Sequence, residues 1–181
     1  MSTRSTANRY GTVAITIHWV TAVAVLGILI SGFQAAGIEN EANKRALLAI
    51  HAGMGASIVL LTVLRIAWWR FGDSKPASAP APKWQQMAAS AMHVLLYVII
   101  LGMGASGIGM LVLSGAGAVL FLGVQDPLPD FWDYLPRIPH GIGARLLIAL
   151  ALVHIGAALY HQFAMKDGLM ARMGLGTEKR R

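Results

Sequence analysis

The sequence predicts an all-α membrane protein, a four-transmembrane-helix bundle with both termini on the cytoplasmic side. Three observations carry this reading. Of 181 residues, 56% are hydrophobic and 13% charged, with a mean hydropathy of +0.59, whereas a soluble domain carries about 25% charged residues. Four apolar stretches each reach the roughly 20 residues needed to cross a bilayer core. Lys and Arg are divided unequally between the connections. The apolar runs lack period-two alternation, and a backbone in lipid must satisfy its own hydrogen bonds, so the stretches are helices and not strands. The length suits one membrane domain over residues 1–181, with no room for a sizeable soluble domain.

The first stretch covers about residues 13–36. It follows a basic segment, as a secretory leader would, but its apolar core exceeds the roughly 7–15 residues of such leaders, and it carries His18-Trp19. It reads as a retained membrane helix. The second covers about residues 46–69, the third 87–113 and the fourth 140–165. Residues 73–83, with Pro76, Pro80 and Pro82 among Ala and Ser, read as a short extended linker. Residues 114–139 form a longer connection. It holds an apolar patch at residues 118–122, then an acidic and aromatic run from Asp126 to Tyr134, the composition of an interfacial belt or of a docking surface.

Orientation follows from the positive charges. Arg4, Arg9, Arg65, Arg70, Lys75, Lys83, Lys166, Arg172, Lys179, Arg180 and Arg181 fall on one side; Lys44, Arg45, Arg137 and Arg145 fall on the other. Eleven against four places the first set in the cytoplasm. Of the acidic residues, Glu39, Glu41, Asp126, Asp130 and Asp133 lie outside. The net charge of +7 comes with no basic stripe interleaved with aromatics, so nucleic acid is not a partner. There is no cysteine, which excludes disulfides, iron–sulfur ligation, thiolate-ligated haem and a C-x-x-C-H attachment.

The histidines are the informative polar residues, because ionisable groups are costly in hydrocarbon and mark function by default. His140 and His154 are fourteen residues apart, nearly a whole number of turns. Both therefore share one helix face, about 21 Å apart along the axis. Under the expected topology, His51 lies at the outer level with His140, and His18 at the inner level with His154. Each pair brings two helices to one metal, and neutral imidazole is a good nitrogen ligand for iron. Two planar cofactors stacked across the bilayer fit this spacing. Gly53, Gly55, Gly141, Gly143 and Gly156 lie within four residues of these histidines and would permit close approach of a flat macrocycle, or equally of another helix. One local echo relates the run His51-Ala52-Gly53-Met54-Gly55-Ala56 to His140-Gly141-Ile142-Gly143-Ala144. Arg65 is fourteen residues after His51, on the same face and near the inner level. It would meet an anion such as a haem propionate or snorkel to the surface. His161 is only about 10 Å beyond His154, too close for a separate macrocycle. His161, His93 and Tyr97 are candidates for a quinone or proton role at the cytoplasmic side.

At these residues the chain resembles the prokaryotic cytochrome b561 family, over nearly its whole length. The resemblance rests on Thr16-Ile17-His18-Trp19, Ile50-His51-Ala52-Gly53, Arg65, the run from His93 to Tyr97, and His140-x13-His154-x6-His161 followed by Lys166-Asp167. It implies a four-helix cytochrome of the bacterial inner membrane with two haem b groups, held by His18, His51, His140 and His154. It also implies electron exchange with ubiquinone. Some members look like superoxide:ubiquinone oxidoreductases; others resemble haem-bearing anchor subunits of larger dehydrogenases, so a redox partner protein or a homodimer is a further expectation. Asp126, Asp130 and Asp133 make the outer loop acidic, a field that does not draw an anion such as superoxide. Two other classes compete. A His-dependent transporter would carry intramembrane Asp or Glu, whereas all acidic residues here lie outside the apolar spans or at their ends. A zinc or copper site would cluster its ligands, whereas these histidines pair at two depths.

Overall fold

The computed structural model describes residues 2–77 and 81–176. Pro80 of the linker, and Lys179, Arg180 and Arg181 of the charge count, lie outside the described residues. Those residues are helical with short connections and include no strand. Four long helices are α1 (Thr12–Gly37), α2 (Glu41–Ala67), α3 (Lys83–Leu113) and α5 (Arg137–Tyr160); a short α4 (Ala116–Phe121) lies between the last two. Each long helix is apolar enough and long enough to cross a membrane, α2 together with Trp68–Gly72 and α5 together with His161–Met165.

The helices begin earlier than the apolar runs, for local reasons. The α2 helix starts at Glu41 because Asn40 caps it, accepting from the Asn43 amide at 3.0 Å. Glu41 and Arg45 pair across the first turn at 2.6 Å. A proline stands at the cap of α3 (Pro82) and of α5 (Pro136). In both cases its carbonyl accepts from the new helix, at Gln86 and His140 respectively. α2 and α5 each end in a wider π-type turn, Trp68–Gly72 and His161–Met165. The apolar patch of the outer connection is helical as α4, entered through Gly115 at φ 72°, a left-handed conformation that glycine adopts without a side-chain clash.

α1 packs along α2, and α3 along α5; contacts between α2 and α3 join the two pairs. Mid-helix side chains such as Val23, Val98 and Leu152 are 69%, 60% and 66% exposed. A soluble bundle would bury such a stripe; a lipid-facing one leaves it outward. The buried apolar cluster is Val25, Ile58 and Leu147, with Ala24, Ile28, Leu29, Leu96, Ile99 and Ile100 packed on it. Its register is simple: Val25 follows His18, Ile58 follows His51, and Leu147 follows His140, each by seven residues. The core is therefore an apolar layer midway between two histidine layers.

At one end the chain knits three segments together. The Ser5 amide and hydroxyl both donate to Asp73, at 2.9 and 2.7 Å. The Tyr10 amide donates to the Arg172 carbonyl at 3.2 Å. The Trp19 indole donates to the Met173 carbonyl at 3.0 Å. Arg172 donates to the carbonyls of Asn8 (3.0 Å) and Ala77 (2.6 Å). Gly11 sits under this fold-back, where a Cβ would meet the backbone of Thr3, Arg4 and Ser5. Residues 5–10, 73–77 and 172–173 thus share one face. At Asp73 burial acts to raise the carboxyl, but the hydrogen bonds from Ser5 outweigh it and hold the group below its ordinary value of 3.8.

Candidate haem sites

The helix pairs bring the histidines together across the bundle. His18 on α1 lies 6.2 Å, ring centre to ring centre, from His154 on α5. His51 on α2 lies at the same 6.2 Å from His140 on α5. The ring planes are inclined by 69° and 65°. All four rings are partly buried.

That distance tests whether a metal fits between the rings. An imidazole nitrogen sits about 2.0 Å from a coordinated first-row metal and about 1.1–1.2 Å from its own ring centre, so two axial imidazoles on one ion hold their centres about 6.3 Å apart. Both pairs match this spacing. Among the described residues no three His, Cys, Asp or Glu side chains converge as a metal site. The donor set is thus two imidazoles at each level, which suits an iron whose other four ligands come from a macrocycle and does not suit tetrahedral zinc.

The surroundings of the two levels differ. At the His51–His140 level, Ser31 on α1 approaches His51: its Oγ lies 3.0 Å from Nδ1 and donates to the Ile28 carbonyl at 3.0 Å. Ser106 on α3 does the same for His140: its Oγ lies 2.9 Å from Nδ1 and donates to the Met103 carbonyl at 3.0 Å. The glycine after each serine admits the ring. A Cβ on Gly32 would stand 3.0 Å from His51 Cε1, and one on Gly107 would stand 3.4 Å from His140 Cε1. Sequence reasoning missed these four residues, because it looked for glycines beside the histidines along the chain. Gly53 and Gly156 face open space, while Gly55 faces Ile28 and Gly143 faces Met103. The signal available was weak: the Ser-Gly dipeptide stands at 31–32 and 106–107, and also at 114–115.

At the His18–His154 level, Arg65 Nη1 lies 3.0 Å from His18 Nδ1, and the guanidinium lies 5.9 Å from the centre of the Tyr97 ring. Its Nε is buried with no partner among the described residues. An unpaired buried donor of this kind suits an anion, which a haem propionate would supply. His93 on α3 brings its ring within 5.6 Å of His154, so it joins the inner cluster. His161 pairs through Nδ1 with the Asp167 carboxylate and stacks edge-on to Tyr160 at 6.1 Å.

Beside the His51–His140 level two guanidiniums crowd the residue after His140. A Cβ on Gly141 would stand 2.9 Å from Arg137 Nη1 and 3.6 Å from Arg145 Nη1. Arg145 Nη1 donates to the Gly141 carbonyl at 2.9 Å, and Arg137 lies 4.3 Å from the centre of the Trp132 ring. Within the acidic loop, the Asp130 carboxylate accepts from the Trp132 amide at 2.9 Å, and Arg45 donates to the Asp126 backbone carbonyl.

Comparison with known proteins agrees with this architecture. The family model described as "Prokaryotic cytochrome b561" matches residues 9–176. Cytochrome b561 homolog 1 of Escherichia coli is 30% identical, over 92% of this chain and 97% of that protein. Cytochrome b562 of Cereibacter sphaeroides is 28% identical over 91% and 94%, respectively. A Yersinia pestis protein named "Probable superoxide oxidase CybB" is 26% identical over 91% and 95%. With four apolar helices, two facing imidazole pairs and a family match over nearly its full length, the chain belongs to the prokaryotic cytochrome b561 family of membrane haem proteins of electron transfer.

Proposed function

We propose that this chain is a di-haem b-type cytochrome of the bacterial inner membrane that exchanges electrons with the quinone pool on its cytoplasmic side. The observation that carries the reading is the equal 6.2 Å spacing of two imidazole pairs at two levels. His51 and His140 would hold the outer group, and His18 and His154 the inner one. Haem, when bound, supplies the one-electron chemistry; the protein supplies position and electrostatics.

The chain's own residues have separable tasks. Arg65 would bind a propionate through its unpaired Nε. The Val25, Ile58 and Leu147 layer keeps water out between the levels. His161 is held by the Asp167 carboxylate at Nδ1, which leaves Nε2 to exchange a proton with a quinone head group. His93 and Tyr97 flank the same level from α3. The cytoplasmic assignment rests on the positive charge of the knitted face, to which Arg4, Arg9, Arg70, Lys75 and Arg172 contribute.

The test is stoichiometry followed by reduction. Pyridine haemochrome analysis of the purified protein should give two haems per chain, both extractable with acid acetone, and a ubiquinol analogue should reduce at least one. A single haem, or no response to the quinol, overturns the reading.

A second reading, oxidation of superoxide, is favoured by one observation: Arg137 and Arg145 converge beside His140. Cations at a site draw anions to it. Superoxide generated in solution should reduce the protein, and Arg137→Gln should slow that reduction most at low ionic strength. No reduction by superoxide rejects this activity.

A further inference from the structure

We propose that Ser31 and Ser106 are positioning residues for the outer imidazole pair, fixing His51 and His140 as Nδ1–H tautomers with Nε2 turned to the iron. The inference rests on the haem reading of that pair.

The argument starts from the single hydrogen of a hydroxyl. Ser31 Oγ donates that hydrogen to the Ile28 carbonyl and Ser106 Oγ donates it to the Met103 carbonyl, each at 3.0 Å. Each oxygen is then left with lone pairs facing the ring, 3.0 Å from His51 Nδ1 and 2.9 Å from His140 Nδ1. An acceptor at that distance requires the proton on Nδ1. The other nitrogen, Nε2, therefore carries the free lone pair, which is the form that ligates a metal.

The two serines are related by position. Each lies on the partner helix of its own pair: Ser31 on α1 beside α2, and Ser106 on α3 beside α5. The helix next door thus orients each histidine toward the opposite pair. The following glycine, Gly32 or Gly107, leaves room for the ring edge. Among the described residues no serine hydroxyl is hydrogen-bonded to the His18 ring, whose Nδ1 lies 3.0 Å from Arg65 Nη1 instead. A hydrogen bond accepted from the distal N–H raises the basicity of a ligating imidazole. A more basic ligand favours the oxidised iron, so the serines hold the potential of the outer group down.

The experiment is a spectroscopic redox titration of the purified holoprotein, with the outer haem defined as the one that His140→Ala removes. Ser31→Ala and Ser106→Ala should each raise the outer midpoint, by up to a tenfold change in the one-electron equilibrium (about 59 mV), and shift its low-spin electron paramagnetic resonance signal. The inner midpoint should not move. Ser31→Thr and Ser106→Thr, which keep the hydroxyl, should restore the wild-type values. Loss of the outer haem in an alanine variant with retention in the threonine variant supports the same role. An unmoved outer midpoint in both alanine variants overturns the proposal, as does equal loss in the alanine and threonine variants. If His140→Ala removes no haem at all, the reading of the outer pair itself falls, and this inference with it.

Discussion

Single side chains decide what this bundle can hold. The four paired histidines are related two by two, and that grouping is testable. His51→Ala and His140→Ala should abolish the same component of the reduced-minus-oxidised spectrum, and His18→Ala and His154→Ala the other. A shared loss in His140→Ala and His154→Ala, which lie on one helix at different depths, would contradict the layered arrangement. His161 stands apart from both pairs, tied to Asp167. His161→Ala should keep both haem spectra while slowing electron exchange with a soluble ubiquinone analogue several-fold, measured by stopped flow. His93 has a different environment, with its ring 5.6 Å from His154. His93→Ala should therefore perturb the inner spectrum as well as quinone exchange. If neither variant alters the exchange rate, the quinone meets the protein elsewhere, and the outer loop around Trp132 becomes the place to look.

Helices present these side chains at fixed rotations, and rotation decides which glycines matter. Residues two apart on a helix point about 200° apart, so Gly53 and Gly156 turn away from the histidines two positions before them and face open space. Gly32 and Gly107 belong to neighbouring helices and lie against the rings. Gly32→Val and Gly107→Val should reduce outer haem content several-fold by pyridine haemochrome, while Gly53→Ala leaves it unchanged. This contrast also shows what was legible in the sequence. Fourteen-residue spacing is a property of one helix, so the shared face of His140 and His154 could be read directly. The depth match of His18 with His154 and of His51 with His140 followed from alternating helix direction, and the structure brings the same residues together. Contacts between helices depend on how each is rotated about its axis, which an apolar run with hydrophobic residues on every side does not encode. Ser31, Gly32, Ser106 and Gly107 were hidden for that reason, and so was the approach of His93 to His154. The early starts of α2, α3 and α5 were missed because their capping residues, Asn40, Pro82 and Pro136, lie beyond the apolar signal.

The whole molecule divides into a knitted polar end, two histidine levels and the apolar layer between them. The knit depends on Asp73, whose carboxyl is held below its ordinary value by Ser5. A depressed carboxyl stabilises the fold above its unfolded value and loses that contribution as pH falls through the folded one. Wild-type stability should therefore drop below about pH 4, and Asp73→Asn should lower the thermal midpoint at pH 7 while flattening that acid limb. A melt followed at the haem absorbance between pH 3 and 7 reads both effects. The apolar layer has an electrical consequence. The apolar layer of Val25, Ile58 and Leu147 separates the two histidine levels, so an electron moved between them carries its charge through a medium of low dielectric constant. The levels are about 21 Å apart in a hydrocarbon core of about 30 Å, so transfer spans roughly two-thirds of the membrane field, about 1.6 kcal/mol per 100 mV. With the cytoplasm negative, inward transfer works against the voltage and outward transfer runs with it. In proteoliposomes carrying a potassium diffusion potential, the balance of reduced haem between the levels should follow the imposed voltage, so that the protein behaves as one plate-to-plate path of a charged capacitor.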